Sequence, residues 1–455
     1  MSMKASTLQI SYLALLLVPP ATLAQAQGFQ FDGELSVTGR YFEEDGALAG
    51  QPDAGVSWIT DARLSARTDL SFGRAEVELY NRTDSRTGTD RFDVTKAFVE
   101  TNGPVRFLLG NDVVFWGVAD SYNPTNIINQ QDQFSGIGKE SQIGQPMARV
   151  SFDTEQFGTF SFFGLIGFQE PAYWEEKTRL RFDTVPDGSR ALFEGGERDF
   201  DFAFRNTNTV HLANGSLDYA ISLFSGTSRE PVYLPGCAFP AATVSEAACT
   251  AINTEVQATY EGLPSGGSGT AAEQVFNAVQ PSTQAFLSGG NSTGSVPYYQ
   301  ELHQVGLGLA YASGDWLLKF EGAQRSTDHG DYFSGVIGAE YNFGDVFGQT
   351  GELRAGMEYI HDTRSNLHPT TIFDNDIYGS LRYDFNNAQG TSIALQGLLD
   401  TQTDGLVLGL EVASRLTDST RVEFSSTFID SDDPSDPLTA LDNDDFHQLT
   451  FTLFF

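Results

Sequence analysis

Most of the chain alternates between apolar and polar positions with a period of two. From Trp58 to Phe72, one set of alternate residues consists of Trp, Leu, Phe, Ala and Thr, and the other set includes Asp61, Arg63 and Arg67. This pattern predicts a β-strand with one apolar face and one charged face. The stretch is longer than a typical soluble strand of about six residues, and it reaches the roughly nine to eleven residues that a tilted strand needs to cross a bilayer.

The same alternation recurs along the chain and predicts about eighteen strands. Periodicity defines strand ends only to within a few residues, so about sixteen strands remain an alternative. Both numbers are even, as a barrel requires when its two termini lie on the same side of the membrane. The predicted strands lie near residues 29–43, 55–72, 74–83, 93–101, 104–111, 145–153, 158–168, 197–212, 216–226, 298–312, 315–326, 331–343, 351–364, 375–386, 390–401, 404–416, 419–430 and 444–455.

The connections between these strands are alternately short and long. Short ones such as Asn102-Gly103 and Ser313-Gly314 have the Gly and Asn residues of tight hairpins. The connections between them are mostly longer and acidic, for example 44–54, 83–93, 169–197 and 431–443. Short turns at one end and long loops at the other are typical of outer-membrane barrels, in which the long loops face the outside of the cell.

The end of the chain carries a second indication of the same architecture. Phe446–Phe455 reads FHQLTFTLFF, so Leu449, Phe451, Leu453 and Phe455 share one face. This segment resembles the last strand of Gram-negative outer-membrane β-barrel proteins, which ends in an aromatic residue. The resemblance implies that the barrel-assembly machinery reads this strand, with Phe455 as the assembly signal. It also implies outer-membrane lipid and lipopolysaccharide as the surroundings of the protein.

The N-terminus has the three parts of a secretory signal peptide. Lys4 provides positive charge, Ile10–Val18 forms a short apolar core, and Ala24-Gln25-Ala26 fits a cleavage site. We therefore expect a signal peptide over 1–26 and a mature chain over 27–455 that forms one transmembrane antiparallel up-and-down β-barrel. The alternatives are a buried N-terminal helix for the first segment, and a secreted soluble β-sandwich or β-helix for the whole chain.

The charge of the chain excludes one large class of function and predicts a polar lumen. Sixty acidic residues against 26 basic ones give a net charge of −34, and a nucleic-acid binder needs a basic face instead. A barrel of about sixteen to eighteen strands encloses water, and its charged alternate positions face that lumen. These charges either set ion preference or pair with one another and stiffen the wall. The predicted lumen charges are Asp61, Arg63, Arg67, Arg74, Glu76, Arg106 and Arg149.

The third long connection, 111–144, is rich in aromatic and amide residues and poor in charge. In general porins, which this chain resembles here by position, the third long loop folds into the lumen and narrows it. Irregular backbone at membrane depth is tolerated where it lines a water-filled cavity or is buried in protein. We expect the loop to enter the lumen opposite Arg63, Arg67 and Arg106; the alternatives are an external cap or a brace. The predicted constriction residues are Trp116, Tyr122, Asn123, Asn126, Asn129, Gln130 and Asp132.

The largest connection, 227–297, contains both cysteines of the chain. Cys237 and Cys249 lie twelve apart in a secreted protein, which predicts one disulfide. The segment Thr270–Phe286 is compatible with one or two short helices, and the loop is a candidate lid or partner site. No metal-binding motif and no cofactor are expected. The acidic outer loops either bind Ca²⁺ or Mg²⁺ loosely, bridging to lipopolysaccharide, or form a solvated surface.

The sequence contains no catalytic motif of the kind G-x-S-x-G or H-E-x-x-H, so we expect no enzyme. The phrase VVFWGVADSYNPTNIINQQD, residues 113–132, resembles one in uncharacterised porin-like proteins of proteobacteria. The predicted function is passive diffusion of small hydrophilic solutes through a porin-like outer-membrane channel. Two alternatives remain open. One is a selective porin or exporter for carbohydrate or organic acid, in which Trp116 and Tyr122 stack on sugar rings; the other is a non-conducting receptor or adhesin. Oligomeric state is open.

Overall fold

Eighteen antiparallel strands form one sheet that closes on itself. A computed structural model describes residues 28–87, 90–131, 142–182, 184–196, 200–238, 244–289, 293–346 and 350–455. The first strand, Phe29–Phe42, pairs both with the second strand, Gly55–Leu70, and with the last, Phe446–Phe454. Each of the other barrel strands pairs with its neighbours along the chain. The fold is therefore a closed up-and-down β-barrel, and the prediction of eighteen strands is confirmed.

Three further short strands are absent from the sequence prediction. They form a separate three-stranded sheet of β8, β11 and β12, built from the loops. In chain order the strands are β1 Phe29–Phe42, β2 Gly55–Leu70, β3 Gly73–Asp84, β4 Arg91–Thr101, β5 Val105–Asp112, β6 Gln145–Thr154, β7 Gly158–Ile166, β8 Leu192–Phe193, β9 Phe200–Leu212, β10 Gly215–Thr227, β11 Val232–Cys237, β12 Thr293–Tyr299, β13 Glu301–Ser313, β14 Trp316–Thr327, β15 Gly330–Phe343, β16 Glu352–Asp362, β17 Asp376–Asp384, β18 Ser392–Asp400, β19 Leu406–Thr417, β20 Thr420–Asp430 and β21 Phe446–Phe454.

The two faces of the barrel wall have opposite character because successive side chains of a strand point to opposite sides. Large apolar residues project outward and are exposed, among them Trp58 at 60%, Phe202 at 64% and Met357 at 65%. The residues between them, such as Arg63 on β2 and Glu358 on β16, point inward. The alternation in the sequence thus becomes an apolar outside and a charged inside.

The two ends of the barrel also differ. At one end the connections are mostly tight turns, such as 213–214 and 314–315, and Gly314 has φ of 58° as such turns require. At the other end lie the longest connections, including 43–54, 113–144, 167–199, 228–300, 363–375 and 431–445. The two-residue connection between β14 and β15 is an exception at this end. We call this end the outer end.

The connection 228–300 folds into a small unit of its own on the outer end, which we call the loop domain. It contains β11, β12 and the helices Glu246–Glu261, Ala271–Ala278 and Pro281–Leu287. The last two helices lie in the segment predicted to be helical, whereas the first was not predicted. Cys237 and Cys249 form a disulfide that joins β11 to the first helix. No helix in the described residues is long and apolar enough to cross a membrane.

Candidate functional site

The segment 113–131, which we call the inward loop, lies inside the barrel. Glu321 is fully buried and projects inward from β14, and its carboxylate accepts hydrogen bonds from inward-loop backbone N–H groups. The bonds from Val118 and Thr125 measure 2.7 Å and 3.0 Å between nitrogen and oxygen. A carboxylate of the wall thus satisfies backbone donors that no strand partner reaches, as irregular backbone at membrane depth requires.

A second inward carboxylate holds the middle of the inward loop. Glu358 of β16 accepts hydrogen bonds of 2.9 Å from the backbone N–H groups of Asp120 and Ser121. Lys319 of β14 donates to the Asp120 side chain at 2.6 Å. Hydrogen bonds to ionised groups are roughly twice as strong as those between neutral groups. The inward loop is therefore fixed to β14 and β16, across the lumen from where it leaves the wall at β5.

The inward loop docks on β14 and β16 and not on the wall of Arg63, Arg67 and Arg106; that it faces these arginines across the lumen stays a prediction. These arginines pair with wall carboxylates instead: Arg63 with Glu78 at 2.8 Å, Arg67 with Asp32 at 3.1 Å, and Arg106 with Asp153 at 2.6 Å. The physical reason is that backbone N–H groups need acceptors, and a guanidinium can only donate. Glu321 and Glu358 supply the acceptors, so they determine the wall on which the loop docks.

Trp116 anchors the inward loop rather than lining an opening. Its side chain is only 2% exposed and packs edge-on against Phe163, with ring centroids 5.6 Å apart. The guanidinium of Arg205 lies over its ring at 5.1 Å, the geometry of a cation–π contact. The suggestion that Trp116 stacks on a sugar ring is therefore wrong, because no solute reaches the ring.

The predicted amide residues mostly brace the inward loop from within. Asn129 accepts from the backbone of Val114 and donates to two backbone carbonyls, each at 2.8–2.9 Å. Asn126 accepts from the Trp116 backbone at 3.1 Å, and the Asn123 amide lies 3.0 Å from Glu321. Gln130 is almost fully buried. Asp132, the last residue of the predicted set, lies outside the described residues.

A cavity of about 650 Å³, the outer vestibule, separates the inward loop from the outer loops. One side is formed by Tyr122, whose ring stacks on Phe373 with centroids 4.8 Å apart. Trp174 and Tyr233 add further aromatic surface, and Arg181 adds a charge. Of the predicted residues, Tyr122 is thus the aromatic side chain that the fold brings to this cavity.

Glu230 links the loop domain to the barrel and was not singled out in the sequence. It forms ion pairs with Arg325 at 3.0 Å and with Arg364 at 2.8 Å. Burial disfavours the charged carboxylate, but these two arginines outweigh burial and hold the pKa of Glu230 at about 2. Arg364 also donates to the Tyr122 hydroxyl at 3.4 Å. Glu230 thereby connects the loop domain, the wall and the inward loop.

All seven predicted lumen charges are on the inner face and have ion-pair partners. Besides the three arginines above, Asp61 pairs with Arg82, Arg74 with Glu100, Glu76 with Lys96, and Arg149 with Glu100 and Asp112. Several of these side chains nevertheless remain exposed, with Arg63 at 46% and Arg74 at 52%. Inward charges of other strands are similarly exposed, such as Arg354 of β16 at 45% and Arg421 of β20 at 40%. The inner face therefore borders water at several strands of the wall.

Two sequence comparisons gave no match. No protein-family model matches the chain, and no curated protein matches it. Several solved structures resemble it over most of its length. They include a BenF-like porin from Pseudomonas fluorescens Pf-5, with a TM-score of 0.46, 9% identity, and coverage of 94% of this chain and 98% of that chain.

Two other similar structures are also from Pseudomonas. OccK2 (OpdF) of Pseudomonas aeruginosa has a TM-score of 0.46 and 12% identity, covering 94% of this chain and 98% of that chain. OprB of Pseudomonas putida has a TM-score of 0.43 and 11% identity, covering 96% of each chain. Because every TM-score is below 0.5, the fold assignment rests on the strand pairing of this chain itself.

Proposed function

We propose that this chain is a porin-like channel of the outer membrane, through which small hydrophilic solutes diffuse passively. The proposal rests above all on the inner face, where charged side chains of β2, β3, β16 and β20 remain exposed to water within a closed barrel. A barrel without a passage fills its interior with packed side chains. The proposal assigns no catalytic residues to the chain.

The outer face supports the membrane location. Exposed Trp, Phe, Leu, Ile and Met side chains recur on alternate positions around the barrel. An apolar surface of this extent in water would lead to association, whereas lipid accommodates it. Every barrel strand pairs with a strand on each side, so the sheet has no free edge. The signal peptide, expected over 1–26, lies outside the described residues.

The inward loop supports a narrow passage rather than a wide one. It crosses from β5 to β14 and β16 and occupies lumen space that a simple barrel leaves open. We therefore expect the loop to limit conductance, with Glu321 and Glu358 holding it in place.

The test is single-channel conductance of the purified full-length protein in planar bilayers. Replacing Val118–Gln131 with a short Gly-Ser turn should raise conductance severalfold, because it removes the obstruction. The matched control replaces Asp45–Asp53, an outer loop segment, and should leave conductance close to that of the parent. Both variants must show the parent's heat-modifiable mobility, which reports a folded barrel.

Two results would contradict parts of this proposal. A folded parent that never conducts would support the receptor or adhesin alternative. Unchanged conductance in the loop replacement would mean that the inward loop braces the wall and does not limit flow.

The outer vestibule favours a selective form of the same channel as a second candidate. A cavity of about 650 Å³ falls within the roughly 300–1,000 Å³ of small-molecule sites. Its aromatic surface, with Tyr122 stacked on Phe373, would contact the apolar face of a ring-shaped solute. Uptake of sugars and of organic acids into proteoliposomes, compared between the parent and Phe373→Ala, would distinguish selective from general diffusion.

A further inference from the structure

Three aspartates meet at the outer end of β17 and β18. Asp376 is the first residue of β17, Asp400 is the last residue of β18, and Asp374 is the second-last residue of the connection 363–375. Asp376 and Asp400 are direct cross-strand partners, and their apolar neighbours Ile377 and Leu399 point outward, so both carboxylates point inward. One oxygen from each of the three carboxylates lies within 4.8 Å of the others.

This arrangement is electrostatically unfavourable as it stands. Like charges directly opposite each other in an antiparallel pair destabilise it, and burial increases the cost. Asp376 is 1% exposed and Asp400 is 7% exposed. A fourth carboxylate, Asp436, is close by, since one Thr403 hydroxyl lies 2.7 Å from Asp400 and 2.8 Å from Asp436. That single hydroxyl hydrogen can serve only one of these two acceptors at a time.

No positive group of the protein compensates this charge within the described part of the chain. Arg364 pairs with Asp362, and the ion pairs of the described residues do not include Asp374, Asp376 or Asp400.

A second and independent observation points to a ligand. The Oδ2 atom of Asp376 is buried and has no hydrogen-bond partner. Buried polar atoms nearly always have partners, and an orphaned carboxylate oxygen beside two other carboxylates is the place for a bound cation. Asp374 and Asp400, in contrast, accept from backbone N–H groups, at 2.6 Å from Asn375 and 2.7 Å from Gln402. Their remaining lone pairs are still able to coordinate a metal.

We propose that Asp374, Asp376 and Asp400 bind one Ca²⁺ ion at the outer rim of the barrel. All ligands are oxygens, which hard divalent cations prefer. Two oxygens on opposite sides of Ca²⁺, each at about 2.3–2.6 Å, span roughly 5 Å, which matches the spacing of these carboxylates. Mg²⁺ requires shorter, near-octahedral contacts and keeps its water, so it binds here more weakly.

The ion would hold the loop that forms one side of the outer vestibule. Asp374 directly follows Phe373, whose ring stacks on Tyr122 of the inward loop. The segment 369–373 lines the vestibule, and Thr403 and Asp436 extend the contact to the connection 431–445. Bound Ca²⁺ therefore clamps the connection 363–375 to β17 and β18. This inference does not depend on whether the barrel conducts.

The test uses purified full-length protein in detergent, stripped with EDTA and then titrated with CaCl2. The midpoint of thermal unfolding should rise with the logarithm of Ca²⁺ concentration in the parent. Asp376→Asn and Asp400→Asn should lose this rise. They should also be more stable than the parent in EDTA, because each removes a like charge. The matched control is Asp404→Asn, an exposed aspartate in the connection that follows β18, and it should respond as the parent does.

Direct binding provides the second measurement. Isothermal titration calorimetry of the parent should show one saturable Ca²⁺ site per chain, with weaker binding of MgCl2. Because this measurement uses the parent, it tests the proposed Ca²⁺ site even where a variant fails to fold. If Ca²⁺ raises the unfolding midpoint equally in the parent and in all three variants, the proposal is overturned, since the ions then act on the acidic surface in general. Absence of a saturable site in the parent would also overturn it, and would leave a shared proton to neutralise the cluster.

Discussion

Glu321 shows how a single side chain determines where an irregular segment docks. Its carboxylate accepts from the backbone of Val118, Ala119 and Thr125 and from the Thr125 hydroxyl. Removing the acceptor would leave buried N–H groups unsatisfied, at a cost of about 1–3 kcal/mol for each group. Gly306 of the adjacent strand also contributes, because a Cβ atom there would collide with Thr125. The carboxylate of Glu321 and the missing side chain of Gly306 together form the docking site of the inward loop.

Ion preference is the first residue-scale prediction. Arg63 and Arg67 neutralise Glu78 and Asp32 on the inner face. In the double variant Arg63→Ala, Arg67→Ala, Asp32 loses its ion-pair partner and Glu78 keeps only Lys96, so the reversal potential in a KCl gradient should shift toward cations. Lys177→Ala, which removes a positive charge from an exposed outer loop, is the control and should not shift it. Equal shifts of the reversal potential in the double variant and in Lys177→Ala would mean that the total charge of the protein, and not the charge of the lumen wall, sets the ion preference.

The second residue-scale prediction concerns the pH dependence of the Glu230 ion pairs. The pKa of Glu230 is about 2 in the folded protein, below its ordinary value. A depressed pKa stabilises the fold above the unfolded value of about 4.3, and this contribution is lost as pH falls toward 2. The loop domain should therefore resist limited proteolysis equally at pH 7 and pH 5 and become more susceptible below about pH 4.

The matched variant for that experiment is Glu230→Gln, which keeps the size of the side chain but removes its charge. It should be more susceptible at every pH and should show less change between pH 5 and pH 3. Glu273→Gln, in an exposed helix cap of the same domain, is the control. Identical pH dependence of proteolysis in the parent and in Glu230→Gln would contradict the assignment of this dependence to the Glu230 ion pairs.

At the scale of elements, the loop domain is the part of the chain that departs from the period of two. It has its own small core of Val232, Leu234, Val256, Tyr260 and Val275. Its first helix, Glu246–Glu261, is capped at its N-terminus by Ser245, whose side chain accepts from the backbone of Ala248. A Ser N-cap was available in the sequence as a signal for this helix. The residues that follow Ser245 have only a weak apolar pattern, so the sequence analysis did not predict this helix.

The disulfide gives the element-scale prediction. Cys237 and Cys249 close a loop with a sequence separation of 12, and a loop of about 15 residues gains roughly 3 kcal/mol from such a bond. The double variant Cys237→Ser, Cys249→Ser should therefore be cleaved faster by thermolysin within 244–289, with the barrel's heat-modifiable mobility unchanged. Thr250→Ser, an exposed change beside Cys249, is the control. Cleavage at the parent's rate would show that the core, and not the bond, holds the domain.

At the scale of the whole molecule, closure of the barrel depends on its two ends. Phe455 and Gly33 exchange two backbone hydrogen bonds, at 2.8 Å and 3.0 Å, and the Phe455 ring covers Gly33. These contacts extend the pairing of β1 with β21 by one more residue. Phe455 thus contributes to the seam of the barrel, and its role as an assembly signal stays a prediction.

Two variants separate these contributions. Deleting Phe455 should reduce assembly strongly, since it removes both the ring and the backbone bonds. Phe455→Ala keeps the backbone bonds and should assemble to an intermediate degree if the ring is the assembly signal. The measurement is the fraction of protein with heat-modifiable mobility after expression. Assembly of the deletion variant at the parent's level would contradict both roles.

The sequence by itself determined the barrel: its approximate strand number, its antiparallel order and the character of its two faces. These features follow from local rules, because alternation and turn residues act over a few positions. It also indicated that 111–144 was unusual and that Cys237 and Cys249 would pair.

Only the tertiary structure decided what the inward loop binds and where the acidic residues gather. Val118 and Glu321 are 203 positions apart, and the loop could have met any inward wall of the same barrel. Arg63, Arg67 and Arg106 seemed suitable by charge, but backbone N–H groups require acceptors. The sequence gives no sign that three of its many acidic residues meet, because only the pairing of β17 with β18 brings together Asp374, Asp376 and Asp400. Closing a sheet brings distant residues together in a register that no local pattern encodes.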